Sequence, residues 1–277
     1  MFQHSLKIIN AIIYTIRPSA TLGACLLVLA AYHPQMGELN QVIFLMIATF
    51  FGSAYCFLVN DIYDREKDLK NEKFRPVATG SLPLRTAIAF SVMFALIFIF
   101  STWFLGYVAF GLSFVFLFIT TFYSHINLKS GFPANATVAF VVSGTQWGVA
   151  IIKPDDYLWM SSIFLFVFTL PREMLLDWLD VRGDLAVGKS SVPTQVSTKS
   201  ARLIIVCLLL AASGVIAFGL YILNPHGISF IFFVLTILSV GGSYIPFLRK
   251  ASHQNILSSI RLSHVTFAFL ILALLSR

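Results

Sequence analysis

The chain is expected to be an all-α membrane protein of about nine transmembrane helices, and three observations lead there. Hydrophobic residues make up 58% of the 277 residues and charged residues only 11%, with a mean hydropathy of +0.85. A soluble domain carries about 25% charged residues, so lipid must be the main solvent. Apolar runs of roughly 20 residues, the length that crosses a hydrocarbon core, recur along the chain. Finally, lysine and arginine sort to alternate ends of these runs. A disordered protein, a disulfide scaffold and a cytosolic enzyme are excluded by the first observation alone.

The runs fall near 19–32, extended by 8–18 and interrupted at Arg17-Pro18, then 41–60, 84–104, 105–123, 132–152, 157–176, 202–223, 228–248 and 256–275. The third and fourth form one apolar stretch from Leu84 to Tyr123, which must be split by a tight turn near Gly106. Barrel strands are excluded, because these runs are continuously apolar and lack the alternation of ~10-residue strands. No cleavable signal peptide stands out, and residues 1–277 are expected to be a single integral-membrane domain. Cys25, Cys56 and Cys207 lie inside apolar stretches without paired spacing and read as small buried hydrophobes.

The basic residues set the orientation. Lys7, Arg17, Arg65, Lys67, Lys70, Lys73, Arg75, Arg85, Lys129, Arg172, Arg182, Lys189, Lys199, Arg202, Arg249, Lys250 and Arg261 fall on one side, and only Lys153 and Arg277 on the other. The positive-inside rule puts the crowded side, with the N-terminus, in the cytoplasm. The net charge of +7 is thereby explained by loops beside anionic lipid, and nucleic acid is not expected as a partner.

Nine of the twelve acids cluster in or beside two polar segments at 61–83 and 177–201: Asp61, Asp64, Glu66, Asp68, Glu72, Glu173, Asp177, Asp180 and Asp184. Asp61, Asp64 and Asp68 are spaced i, i+3, i+7, as are Asp177, Asp180 and Asp184, so each trio shares one helix face. Two unit charges ~6 Å apart repel by about 3 kcal/mol at an effective dielectric near 20. Cations must therefore lie opposite. For the first trio, Arg65 is in register with Asp61 and Asp68, and Lys67 with Asp64. The second trio has no Lys or Arg three or four residues away, so its cation must come from elsewhere in the fold or from solution. An oxygen-only ligand set with no His or Cys suits Mg²⁺, which is held by one or two carboxylates and phosphate oxygens. Arg65, Lys67, Arg75, Lys129, Arg172, Arg182 and Lys189 are placed to bind the remaining anionic oxygens of a diphosphate. The six histidines are scattered without ligand spacing.

The motif Asn60-Asp61-x-x-Asp64-x-x-x-Asp68, followed by Arg75-Pro76 and Gly80, resembles the first motif of the UbiA superfamily of intramembrane prenyltransferases. The motif Arg172-Glu173-x-x-x-Asp177-x-x-Asp180-x-x-Gly183-Asp184, with Gly188-Lys189 and Pro193, resembles the second. Arg17-Pro18, and Tyr123-Ser124 with Lys129, also match. The resemblance implies a UbiA-like bundle around a central cavity, and Mg²⁺-dependent ionisation of a prenyl diphosphate followed by attack of an acceptor on the allylic carbon. It implies that Asp61, Asp64, Asp68, Asp177, Asp180 and Asp184 hold Mg²⁺, with Glu173 supporting the second face. Asn60 would help bind the metal–diphosphate unit, a helix-end cap being the alternative. Arg75, Lys129, Arg172 and Lys189 would clamp the diphosphate, or serve only as topological charge. Tyr123 would orient the allylic carbon or steady its cation, with a plain interfacial tyrosine as the rival. Arg17 would reach the acceptor or close the cavity, with snorkelling as the rival.

An aromatic ring is the leading acceptor. A terpene cyclase of the same fold, and transfer to a glycerol-type or sugar-phosphate acceptor, are the alternatives. A transporter is disfavoured because no acid lies mid-span. Resemblance to heme O synthases is weaker, because their Met and Arg-Thr signatures are missing between Asp68 and Arg75-Pro76. Prenyl length and oligomeric state are not readable.

Overall fold

In lipid, each backbone polar group must be satisfied within its own segment, and the chain does this with helices. The computed structural model describes residues 2–32, 39–126, 131–186 and 188–277, and no strand occurs among them. The helices are α1 (Phe2–Thr15), α2 (Pro18–Tyr32), α3 (Leu39–Tyr63), α4 (Arg65–Lys70), α5 (Pro76–Thr79), α6 (Leu84–Trp103), α7 (Tyr107–Ile126), α8 (Phe132–Ile152), α9 (Asp156–Ala186), α10 (Val192–Gln195), α11 (Thr198–Leu223), α12 (Gly227–Arg249) and α13 (His253–Leu275). Among the described residues, seven helices are long and apolar enough to cross a membrane: α3, α6, α8, α9, α11, α12 and α13. The pair α1 and α2 supplies an eighth if counted as one bent span, and α7 is a shorter apolar helix over Tyr107–Tyr123. Each apolar run of the sequence thus has its helix, and the protein is an integral, multi-pass membrane protein.

Two breaks have clear local causes. Between α1 and α2 the axis bends by 52°. Pro18 has no N–H to donate and its ring pushes the preceding residue out of the right-handed helical region; Arg17 leaves that region on the left-handed side, at φ +49°. Between α6 and α7, Gly106 takes φ +106°, a conformation open to glycine at no steric cost, and the chain reverses where the sequence requires it.

The chain forms two compact units, Met1–Leu29, Met36–Lys129 and Arg182–Lys189 in one, and Ala30–Gln35, Ser130–Val181 and Ser190–Arg277 in the other. In the first, α3 packs on α6 through Ala54, Leu58, Val59, Ala87 and Phe94, with Val77 and Leu82 closing the polar end. Close approach is possible because Gly52 sets bare backbone against the Phe98 ring. The Tyr55 hydroxyl is satisfied by Thr121 of α7 at 2.6 Å.

In the second unit α9 is the central helix, with Leu158, Phe164, Leu165, Phe168, Met174 and Leu175 all fully buried. Helices α12 and α13 form a hairpin tied by hydroxyls as well as by the stacked rings of Phe232 and Phe269, whose centroids are 6.5 Å apart. Ser229 donates to the Ala273 carbonyl at 2.9 Å, Ser243 to the Leu262 carbonyl at 3.2 Å, and the Phe247 N–H to Ser259 Oγ at 3.2 Å. Small residues and interhelical hydrogen bonds are the usual cement where lipid tails remove the hydrophobic drive for association. Large apolar side chains such as Leu210, Phe218 and Leu238 are left exposed, as a lipid-facing surface requires.

At the Asp155 end of this unit, Arg277 donates to Asp155 Oδ1 at 2.6 Å and to the Ala31 carbonyl at 2.8 Å, and its guanidinium lies 4.9 Å from the Tyr157 ring centroid. Removing one partner of a buried ion pair leaves an uncompensated charge. Arg277→Ala is expected to lower the melting temperature of the detergent-solubilised protein by several degrees, on the order of 2 kcal/mol. Arg277→Lys should recover only part of the loss, because it cannot bond both partners with one planar fork.

Candidate active site

Asp61 sits in the last turn of α3 and Asp64 between α3 and α4, and Asp68 belongs to α4. The helical hydrogen bonding carries across the junction, the Asp64 N–H donating to the Asn60 carbonyl and the Asp68 N–H to the Asp64 carbonyl, each at 2.8 Å. The three carboxylates therefore keep the common face that their spacing predicts. All are buried, Asp61 at 2%, Asp64 at 6% and Asp68 at 0% exposure.

The cations opposite them are only partly those in helical register. Lys67 donates to Asp64 Oδ2 at 2.7 Å, as the i, i+3 spacing predicts. Asp61 turns instead to Arg17 and Arg75. Arg17 Nη2 donates to Asp61 Oδ1 at 2.8 Å, Arg75 Nη1 donates to the same oxygen, and Arg75 Nε lies 3.3 Å from Asp68 Oδ2. Arg65, the expected partner of both, is displaced by these two arginines from outside the helix. Arg17 reaches Asp61 because its left-handed backbone turns the side chain out of the α1–α2 bend; the guanidinium also lies 4.6 Å from the Phe57 ring centroid. Its place is beside the first acidic motif. Burial works against the Arg75 charge, but Asp61 and Asp68 outweigh it and raise its pKa above the ordinary arginine value. Asp68 is pushed up to about 6, chiefly by burial and in spite of Arg75.

The end of the second motif shares this unit. Asp184 is fully buried, with Lys189 Nζ 3.8 Å from its Oδ1. Gly188, at φ +70°, turns the chain so that the Lys189 N–H donates to the Asp184 carbonyl at 2.8 Å and the ammonium folds back over the carboxylate. Arg182 pairs with Glu72 at 2.8 Å, and the Gly183 N–H donates to Asn71 Oδ1 at 2.6 Å. A Cβ at position 183 would collide with the Asn71 amide, which explains the glycine of the motif. The cation missing from the helical register of the second trio is thus supplied, for Asp184, by Lys189.

In the other unit, Asp177 accepts from Asn135 Nδ2 of α8 at 3.0 Å, and Arg172 donates to Glu173 at 2.9 Å. Asp180 is half-buried on the same helix. Asn135 and Asn71 are polar groups that the motif reading did not single out as site residues. Asn135 carried a signal, an amide in the first turn of an otherwise apolar span. Asn60 and Tyr123 are half-buried on α3 and α7; Lys129 lies outside the described residues.

Among the described residues, no three His, Cys, Asp or Glu side chains converge as a ready-made metal cage. Four of the expected Mg²⁺ ligands, Asp61, Asp64, Asp68 and Asp184, instead stand ion-paired, and Asp177 accepts from an amide. Their chemistry still fits a hard divalent ion: all are carboxylates, and both oxygens of fully buried Asp68 lack a hydrogen bond among the described residues, which is rare for native buried polar atoms.

A family model described as the UbiA prenyltransferase family matches residues 21–272. A digeranylgeranylglyceryl phosphate synthase of Thermococcus kodakarensis is 28% identical over 166 residues, which cover 59% of this chain and 60% of that relative. One from Sulfurisphaera tokodaii is 25% identical over 206 residues, covering 72% and 74%. The solved structure of a UbiA homolog from Archaeoglobus fulgidus bound to GPP and Mg²⁺ has a TM-score of 0.67 at 16% identity, covering 96% of this chain and all of that one; this likeness shows the fold.

Because Asp68 holds its proton to about pH 6 when folded but to 3.8 as an ordinary carboxylate, the folded state binds more protons between these values. Stability of the ligand-free protein should then fall as pH rises from about 4 to about 6 and level off above. Asp68→Asn, which mimics the protonated form, should lack this step in a melting-temperature series across the same window.

Proposed function

The chain belongs to the UbiA prenyltransferase family, and from that premise we propose that it transfers a prenyl group from a prenyl diphosphate to a glycerophosphate-type acceptor hydroxyl within the membrane. One observation carries the chemistry. A single unit holds four buried carboxylates, Asp61, Asp64, Asp68 and Asp184, each within reach of a cation, Arg17, Lys67, Arg75 or Lys189. Ion pairs of this kind can exchange partners when a metal diphosphate enters: the cations turn to diphosphate oxygens and the carboxylates to the metal, with little change in net charge.

Mg²⁺ is the metal this reading requires, and when bound it supplies neutralisation of the diphosphate as negative charge develops on departure. Asp61, Asp64, Asp68 and Asp184 would hold it in one unit, and Asp177 and Asp180 in the other, with Asn60 assisting. Arg75, Lys129 and Lys189 would take the remaining diphosphate oxygens, and Arg172, in the other unit, would bind a phosphate oxygen. The C–O bond to the diphosphate breaks with its electron pair leaving on the diphosphate. The acceptor oxygen forms the new C–O bond and releases its proton to the departing diphosphate. Tyr123 would sit by the allylic carbon, and Arg17 would position Asp61, to which it donates.

Support for the acceptor comes from the relatives, whose name specifies a glyceryl phosphate product. The aromatic ring expected from the sequence has no support among them. Residues 1–277 act, in this reading, as one prenyltransferase domain, with the acidic motifs and the N-terminus on the cytoplasmic side, as the distribution of Lys and Arg indicates.

Purified protein with Mg²⁺ and prenyl diphosphates of increasing length should release diphosphate and prenylate a glycerophosphate acceptor, and chelation by EDTA should abolish both. Asp64→Ala and Asp180→Ala should each lower turnover by about 10²–10³-fold, the cost of removing a charge-stabilising group. Prenylated aromatic products would replace the acceptor assignment, and acceptor-independent terpene would replace transfer with cyclisation. No diphosphate release with any donor would sink the catalytic reading. For topology, a reporter fused within residues 70–74 should read as cytoplasmic.

A further inference from the structure

The unit built around α9 holds a buried phenol, that of Tyr244, which neither the motifs nor the family match assign. Tyr244 of α12 is fully buried, yet its hydroxyl has no hydrogen-bond partner among the described residues. Its ring packs edge-on against Phe168 of α9, with centroids 6.1 Å apart. Arg172 lies one turn further along α9, and Arg172 and Glu173 are the charged groups whose fields reach the phenol. Arg172 Nη1 is committed to Glu173 at 2.9 Å, while its Nε–H is buried and also lacks a partner among the described residues.

Two unspent donors, a phenol O–H and a guanidinium N–H, thus occupy one region of a single unit. Buried polar groups are nearly always paired, and an exception calls for a ligand or a functional role. Leaving a buried hydroxyl unsatisfied is costly, whereas phenylalanine would fill the same volume beside Phe168 without that cost. Glu173 shares its helix face with Asp177, Asp180 and Asp184, at spacings of four, seven and eleven residues. The donor pair therefore lies one helical turn deeper into the span than the second acidic trio.

We propose that Tyr244 is a substrate-contacting residue, its hydroxyl acting with the Arg172 Nε–H as a donor pair for a phosphate oxygen. This rests on the prenyl-transfer reading, in which both substrates carry phosphate: the diphosphate of the donor and the monophosphate of the acceptor. The ligand chemistry is the same for the two, and experiment separates them.

Tyr244→Phe removes only the hydroxyl. Binding of inorganic diphosphate and of glycerol phosphate, each with Mg²⁺, would be measured by calorimetry on wild type and variant in detergent, beside melting temperatures without ligand. The expected result is about tenfold weaker binding of one probe, the size of one lost hydrogen bond to a charged group, with the other unchanged. The melting temperature of the ligand-free variant should equal or exceed that of wild type. The probe that is weakened names the substrate. A lower melting temperature or failure to fold would assign the hydroxyl to the fold and overturn the proposal. Equal weakening of both probes would point to a displaced Arg172, and unchanged binding of both would show no contact; either result overturns it. If wild type turns over while Tyr244→Phe binds both probes normally, this inference alone falls. If wild type neither binds the probes nor turns over, the prenyl-transfer reading falls with it.

Discussion

Charge neutralisation at the polar ends of apolar helices is the constraint on which the rest of this structure depends. Burying a carboxylate without a partner costs several kcal/mol, a large part of a domain's net stability. Four aspartates are nonetheless buried in one unit, and each is met by a cation. That requirement explains otherwise odd local features. Arg17 tolerates a left-handed backbone that costs about 1–2 kcal/mol, because from that bend its guanidinium reaches Asp61. Arg75 precedes Pro76 in extended conformation and spans Asp61 and Asp68. Gly188 supplies the turn that returns Lys189 to Asp184.

The same constraint makes the site suited to a charged ligand. An apolar core of equal volume would be as stable as a buried ion-pair network, or more so. A network of paired charges earns its retention where partners must be exchanged, and a metal diphosphate presents both signs of charge. Asp68 is the weakest member: it is fully buried, its ion pair with Arg75 is long, and its proton is held to about pH 6. Such a carboxylate gains most from a hard cation.

Around this end, the membrane dictates the remainder. With lipid on the outside, helix association cannot rely on hiding apolar surface. The hairpin of α12 and α13 uses serine and threonine hydroxyls, α3 and α6 use glycine and alanine, and α9 places its aromatic and aliphatic residues inward. The Tyr244 hydroxyl, unlike those of Ser229 or Ser243, meets no carbonyl among the described residues.

Much was legible in the chain by itself. The helix spans, the reversal at Gly106, the break at Arg17-Pro18, the shared faces of both aspartate trios and the Lys67–Asp64 pair all follow from period, length and turn chemistry, which act within a few residues. Family membership was legible for the same reason, since its motifs are short and contiguous. Tertiary structure alone decided which cations Asp61, Asp68 and Asp184 meet. Arg17, 44 residues from Asp61 in sequence, displaces Arg65 four residues away; Asn135 reaches Asp177 across 42 residues, and Asn71 meets Gly183 across 112. Coulomb attraction depends on distance in space and on local dielectric, and neither is written in the spacing of residues along the chain.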